Sequence, residues 1–318
     1  MAGELFYTDL ALEAREMMAE EVRSSIEGIV CDTWRADGVK VTRVQVTSDE
    51  AAKAIGKKKG RYITLEASGM RQKDVELERV LMRMLEKELA TMLPKEGEVL
   101  VVGLGNRSST PDALGPRTVE EIFVTRHMRN VVENEKIERL RSVCAIAPGV
   151  LGVTGIETAE ILRGVVEHVR PSAIVVIDAL ASSSSERIAT TIQLSDTGIH
   201  PGSGVGNRQI GIDEESMGVP VIAIGVPTVI YASTIALDML HGLERGGQIA
   251  CRFARGERVT EGRRRTIVKE NMPQELSRLM VTPRDIDRLI ADMAHVIATA
   301  LNRSLQPDVQ SEIRQYLH

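Results

Sequence analysis

The chain has 318 residues, enough for a large buried core in one or two domains, with 43% hydrophobic and 27% charged residues and a net charge of -5. Aromatic residues make up only 3% and the charge balance is mildly acidic, which argues against a nucleic-acid surface of stacked rings and against electrostatic attachment to DNA or a membrane. Cys31, Cys144 and Cys251 lie far apart without C-x-x-C spacing, so neither a disulfide framework nor a zinc site is expected and a reducing compartment fits.

In chain order, MAGELFYTDLALEARE (1–16) has no basic start and no continuous apolar core, so it is not read as a signal peptide. No apolar run approaches the roughly 20 residues of a spanning helix, and a cytoplasmic protein is expected. Residues 9–22 have helical spacing. KVTRVQVT (40–47) and GRYITLEA (60–67) alternate as strands, with the basic KAIGKKKG read as a loop between them. A helix is predicted over 74–93, stopped by Pro94 and Gly97. The middle of the chain then carries EVLVVGLGN, SVCAIAPGV, AIVVIDALA and VPVIAIGVP, short runs apolar on both faces and separated by helical patterns. Such runs imply an α/β fold, a mainly parallel central sheet with helices on both faces. The basic stretch CRFARGERVTEGRRRT reads as a solvated arm over 252–265. A closing helix follows, with Thr282 as N-cap, Pro283 in the first turn and a buried stripe from Ile286 to Leu301.

In parallel sheets, ligands collect at the carboxyl ends of strands near a topological switch point. Asp178 ends the run AIVVID, and Asp112 lies in the turn-rich TPDALGP after the run ending at Gly103. Alone, Asp112 is equally well a residue favouring a helix start, with Thr110 as cap. Together the two acids form a unit. Crowded carboxylates do not ionise together readily, so one keeps a proton while the other activates water, chemistry suited to hydrolysis of an unreactive bond.

Competing signals are weaker. Gly103 and Gly105, and the glycines of HPGSGVGN, do not complete G-x-G-x-x-G, and no P-loop occurs, so a nucleotide-binding regulator is only an alternative. Asp196-Thr197-Gly198 matches the triplet of pepsin-like proteases, but those folds are all-β; Asp196 is kept as a residue that could line the same cleft. Ser182 to Ser185 with His200 offer hydroxyls and an imidazole but no G-x-S-x-G elbow. Asp112, Glu157, Asp178, Asp196 and His200 could supply hard metal ligands without any H-E-x-x-H spacing, leaving a metal-dependent peptidase as a second alternative and no cofactor as the expectation.

GLGN…TPDALGP, APGVLGVTGIET, VVIDALA, SDTGIHPGSGVGN and PVIAIGVPTV, in this order, resemble the germination protease family of spore-forming bacteria, and the closing VTPRDIDRLIADMAHVIATALN resembles its last helix. The likeness spans about Thr8 to Asn302 and departs mainly around Gly242 to Asn271. The resemblance implies a fold like that of hydrogenase maturation proteases and a peptidase degrading small acid-soluble spore proteins in the spore core. Carried over, its two catalytic aspartates are Asp112 and Asp178, and Gly105, Asn106, Glu157, Asp196 and His200 fall on motifs that could line the cleft. It further implies a homotetramer and a zymogen that removes its own propeptide after an acid and before an apolar residue. Asp9 and Leu10 fit, although Phe6 stands where substrates favour a second acid. The expected organisation is a propeptide (1–9) and one protease domain (10–318). That domain comprises an N-terminal α+β portion (10–97), the catalytic sheet core (98–241) and the arm with the closing helix (242–318).

Overall fold

The computed structural model describes residues 6–18, 26–130, 140–200, 210–245, 261–277 and 279–307. Its first strands, β1 (Ile29–Ala36), β2 (Val39–Val46) and β3 (Gly60–Glu66), form an antiparallel meander. Asp37 and Gly38 turn β1 into β2 with φ of 49° and 86°, the two-residue turn whose twist suits a hairpin. The later strands are β4 (Val99–Gly103), β5 (Val143–Ile146), β6 (Ala173–Ser182), β7 (Thr191–Ser195), β8 (Val221–Tyr231) and the short β9 (Met280–Val281).

The four apolar runs become β5, β4, β6 and β8, side by side in that order and all parallel. Strand β7 runs antiparallel to both β8 and β3 and so joins the meander to the parallel strands in one sheet. Strands β4, β6 and β8 bury both faces over most of their parallel-paired length, as a doubly covered sheet requires, whereas β5, at the end of the strand order, is only half-buried after Val143. Val99 and Val101 of β4, with Val175 and Ile177 of β6, belong to a core with the helices Val75–Met92 and Ile286–Leu305. Leu100, Val102, Ile174 and Val176 alternate with them and pack against Ala159, Leu162 and Val166 of the helix Thr158–Val169.

The helix Val75–Met92 forms where its pattern placed it, and the carboxylate of its N-cap Asp74 accepts the Glu76 and Leu77 N–H groups at 3.1 and 3.0 Å. The closing helix starts later than expected, at Ile286. Thr282 is not its cap, because its hydroxyl donates instead to the Thr228 carbonyl at 2.8 Å. The basic loop after β2 is half helical: Asp49–Ile55 is a helix capped by Ser48 and ended by Gly56 at φ 65°. The N-terminal helix covers Ala11–Glu16, and the rest of its pattern reaches into residues 19–25, outside the described residues. The basic stretch is also partly helical, over Glu261–Asn271; residues 252–260 and most of HPGSGVGN lie outside the described residues. Among the described residues no helix is long and apolar enough to cross a membrane.

Candidate active site

Strand β6 outruns β4. Their last pair is Gly103 with Ile177, and from Asp178 onward β6 has β8 alone beside it. The chain leaves β4 toward β5 on one side and returns to β6 on the other, so the gap beyond β4 is the switch point of the parallel sheet. A cleft of about 510 Å³ opens there, lined by Asp112, Asp178, Gly105, Thr228, His200 and Asp9 among others.

Asp178 points into this cleft from a rigid strand, half-buried, and one carboxylate oxygen accepts only its neighbour's N–H, from Ala179 at 2.9 Å. Burial pushes its carboxyl well above the usual range, and the charges of Asp112 and Asp9 push it further. Asp112 ends a short 3-10 turn, Thr110–Asp112, ahead of the helix Leu114–Glu120. It does not cap that helix. Its carboxylate turns back to accept the Asn106 N–H at 2.7 Å, and burial raises its pKa while this hydrogen bond opposes the rise. The two acids thus lie within electrostatic reach in one cleft, unequally disposed to hold a proton.

Gly105 and Asn106 serve this arrangement through the backbone. Gly105 has φ 107° and lies so close that a Cβ there would fall 2.1 Å from the Asp112 carbonyl oxygen. A Cβ on Gly103 would strike the Gly115 carbonyl oxygen at 2.2 Å. These glycines therefore let two chain segments touch.

Of three further residues expected at the cleft, His200 lines it and Asp196 and Glu157 do not. His200 lines the cleft but is exposed, its imidazole pKa lowered by partial burial and by Lys58 and Lys57. Asp196 does not line the cleft; it accepts the Arg61 N–H at 2.7 Å and faces the Arg61 guanidinium at 3.5 Å. Glu157 occupies the N-cap position of the helix Thr158–Val169 without a capping bond, and it is Thr158 that reaches the cleft. The serine run forms no triad with His200. Ser182 and Ser183 donate to Glu13 at 2.7 and 2.9 Å, and Ser185 donates to Asp238 at 2.6 Å. Among the described residues no three His, Cys, Asp or Glu side chains are grouped to hold a metal ion.

Asp9 lines the same cleft. Asp9 pairs with β6 through its N–H, which donates to the Ala181 carbonyl at 3.0 Å, while the Ala181 N–H donates to the Asp9 carboxylate at 2.8 Å. The Tyr7 hydroxyl donates to the other carboxylate oxygen at 2.6 Å. The Asp9 carbonyl accepts Lys57 Nζ at 2.9 Å and Gln193 Nε2 at 3.3 Å, and the far end of Gln193 accepts the Ala11 N–H at 2.7 Å. Leu10 and Ala11 are fully buried. Behind them Glu13, 1% exposed, accepts from Thr8, Ser182, Ser183 and Arg187, whose guanidinium also reaches Glu16 and Glu66. None of Tyr7, Thr8, Glu13, Lys57, Arg187 or Gln193 stood out in the sequence. Lys57 is one of three adjacent lysines, and no local pattern separates it from the other two.

The family model for germination protease matches residues 8–246 and 254–317. A germination protease of Caldanaerobacter subterraneus is 46% identical, over 98% of both chains. That of Clostridium tetani is 42% identical over 98% of this chain and 99% of its own, and that of Bacillus cereus 41% over 98% and 96%. Among solved structures, a NiFe hydrogenase maturation protease from Thermococcus kodakarensis aligns with 66% of this chain and 97% of its own, at 15% identity and a TM-score of 0.30. With nearly its whole length matched at such identity to these peptidases of spore germination, the chain belongs to the germination protease family.

Proposed function

We propose that the chain is an endopeptidase made as a zymogen, which hydrolyses peptide bonds after an acidic residue with Asp112 and Asp178 and no resident cofactor. The observation that carries the reading is Asp9 lining the cleft that holds both acids, its carboxylate fixed on β6 by the Ala181 N–H. Asp178, the acid pushed further up, keeps the proton, and Asp112 is the carboxylate that takes a proton from water. The water oxygen bonds to the carbonyl carbon, the C–N bond breaks, and the leaving nitrogen takes the proton of Asp178. Proton exchange from Asp112 back to Asp178 through solvent resets the pair. The Ala181 N–H, at 2.8 Å from the Asp9 carboxylate, offers an acidic side chain a fixed donor and favours it on the acyl side of the bond.

Self-processing between Asp9 and Leu10 removes residues 1–9, and the substrates in turn are the small acid-soluble spore proteins, cut in the spore core by a homotetramer. Both assignments rest on the family. The test incubates a chain beginning at Leu10 with such a protein and maps the fragments by mass spectrometry. Cuts after Glu or Asp and before an apolar residue are expected, absent in Asp178→Asn and Asp112→Asn and unaffected by chelators. Cleavage by Asp178→Asn at the wild-type rate would remove that acid from the mechanism, and loss on chelation restored by one metal would replace it with metal chemistry.

A further inference from the structure

Three adjacent lysines follow the helix Asp49–Ile55, and they are used differently. Lys58 and Lys59 each pair with a carboxylate, Asp213 at 2.6 Å and Asp49 at 2.7 Å. Gly56, at φ 65°, turns the chain back on itself, and the Lys57 side chain runs instead beneath the N-terminal segment. Its ammonium meets two carbonyl oxygens, Asp9 at 2.9 Å and Thr8 at 3.3 Å, and has no salt bridge among the described residues. Burial lowers its pKa while the charges of Asp9 and Glu13 oppose the shift, and its hydrogen bonds go to two main-chain carbonyls, an unusual use of a lysine whose two neighbours each pair with a carboxylate.

The Asp9 carbonyl is the acyl side of the bond read above as the self-cleaved one. We propose that Lys57 is a catalytic residue, the electrophile that polarises the carbonyl of the bond to be cut and holds the oxyanion, with Gln193 Nε2 as a second donor at 3.3 Å. The inference rests on the reading of Asp9–Leu10 as a scissile bond. It supplies what the acid pair lacks. When water adds, the carbonyl π electrons move to oxygen; the ionised Asp112 cannot stabilise that charge, and the proton of Asp178 is spent on the leaving nitrogen. The Lys57 ammonium, already in place, needs no reorganisation to do so. Collapse of the oxyanion re-forms the C=O bond and expels the Leu10 nitrogen. Gln193 spans the bond, donating to the Asp9 carbonyl and accepting the Ala11 N–H at 2.7 Å, so it fixes the peptide plane that Lys57 acts on. In a protein substrate, the carbonyl of the acidic residue takes the place of the Asp9 carbonyl.

The test follows loss of residues 1–9 from full-length chains by mass spectrometry, with thermal melts alongside. Lys57→Met is expected to melt like the wild type and to process about 10²- to 10³-fold more slowly, the range for loss of an oxyanion donor. Lys57→Cys is expected to be as slow and to regain rate when aminoethylated, which restores an ammonium at the same reach; wild type treated identically should not change. In the chain beginning at Leu10, acting on a small acid-soluble spore protein, the loss should fall on kcat and leave KM in place. Wild-type processing by Lys57→Met overturns the proposal. So does a slow Lys57→Cys that aminoethylation does not quicken, and this arm decides the matter if Lys57→Met fails to fold. Asp178→Asn in parallel separates the two ideas: if it is silent while Lys57→Met is unimpaired, only the lysine role falls, and if it processes normally, the acid pair falls. A wild-type chain that cuts itself elsewhere removes the scissile-bond reading and the lysine role with it.

Discussion

Gly105 and Asp112 are in contact through their main chains, and no larger residue fits at position 105: its Cβ would fall 2.1 Å from the Asp112 carbonyl oxygen and 2.9 Å from Oδ1. With φ at 107°, the same position also disfavours any L side chain. Gly105→Ala therefore displaces the 3-10 turn carrying Asp112. The expected result is a stability loss of about 1–3 kcal/mol by urea titration and a fall in kcat of about 100-fold, a misplacement of a catalytic group by an ångström or so.

Asp178 trades stability for a proton. The folded protein holds that proton more tightly than the unfolded chain, where Asp titrates near pH 3.9. Its contribution to stability is therefore complete below about pH 4 and is lost as pH rises through the raised folded value. Asp178→Asn removes the loss. Its melting temperature should exceed that of the wild type at pH 7, and the gap should close toward pH 4; a mutant less stable than wild type at pH 7 contradicts the assignment of the proton.

On the proposed mechanism, the same pair sets the pH dependence of the reaction. Rate should fall at acid pH as Asp112 takes up a proton and can no longer accept one from water, and at alkaline pH as Asp178 gives up its own. The alkaline limb should lie well above the usual carboxylate range, since burial and the charges of Asp112 and Asp9 raise Asp178, and the acid limb should be shifted upward, since burial raises Asp112. Asp112→Asn should remove the activity across the whole profile, checked by kcat/KM against pH.

Glu13 and Arg187 form a buried pair at 2.9 Å, Glu13 at 1% exposure. Glu13→Ala leaves Arg187 with two carboxylates where it had three, and should cost about 3–5 kcal/mol in chemical denaturation. Thr8 stands between Glu13 and the Leu10 N–H, which it accepts at 3.0 Å. Leu10 is the N-cap and Glu13 the third residue of the helix that follows, the spacing at which a Glu reaches back to the cap nitrogen. In a chain beginning at Leu10 that nitrogen is an ammonium. Glu13→Gln should accordingly cost more stability in the chain beginning at Leu10 than in the full-length chain.

Asn302 ties the closing helix to the loop after the helix Leu114–Glu120, accepting the Phe123 N–H and donating to the Glu121 carbonyl, both at 2.9 Å. It is 5% exposed, so Asn302→Leu strands a buried N–H and a half-buried carbonyl. A loss of about 2–4 kcal/mol by thermal or urea unfolding is expected, with kcat/KM of the folded fraction unchanged.

What could be read from the sequence was what a single stretch encodes. The continuous apolar runs became β4, β5, β6 and β8 because a strand buried on both faces must be apolar throughout, and Asp178 stood out because it interrupts one. Strand β7 could not be read. TIQLS is short and half polar, and Thr191, Gln193 and Ser195 are buried only because β3 and β8 flank it. Strand β1 failed for the opposite reason: it has one neighbour, β2, and faces solvent over most of its length, so no burial pattern marks it. Thr282 has the chemistry of a cap, yet a carbonyl 54 residues away in the chain competes for its hydroxyl. Lys57 and Gln193 carry no local mark, since what distinguishes them is the segment they meet.

The Asp9 carbonyl is held by Lys57 and Gln193, 48 and 184 residues away, and the Asp9 carboxylate by Ala181, 172 residues away. These partners come from the meander, from β7 and from β6, and no fragment of the chain contains them all. Contacts so distant in sequence form late, because each must first overcome the entropy of closing a long loop. On the proposed function, self-cutting begins only after the meander, the linking strand and the parallel strands have assembled, and removal of the first residues then acts as a proofreading step that licenses only correctly folded molecules.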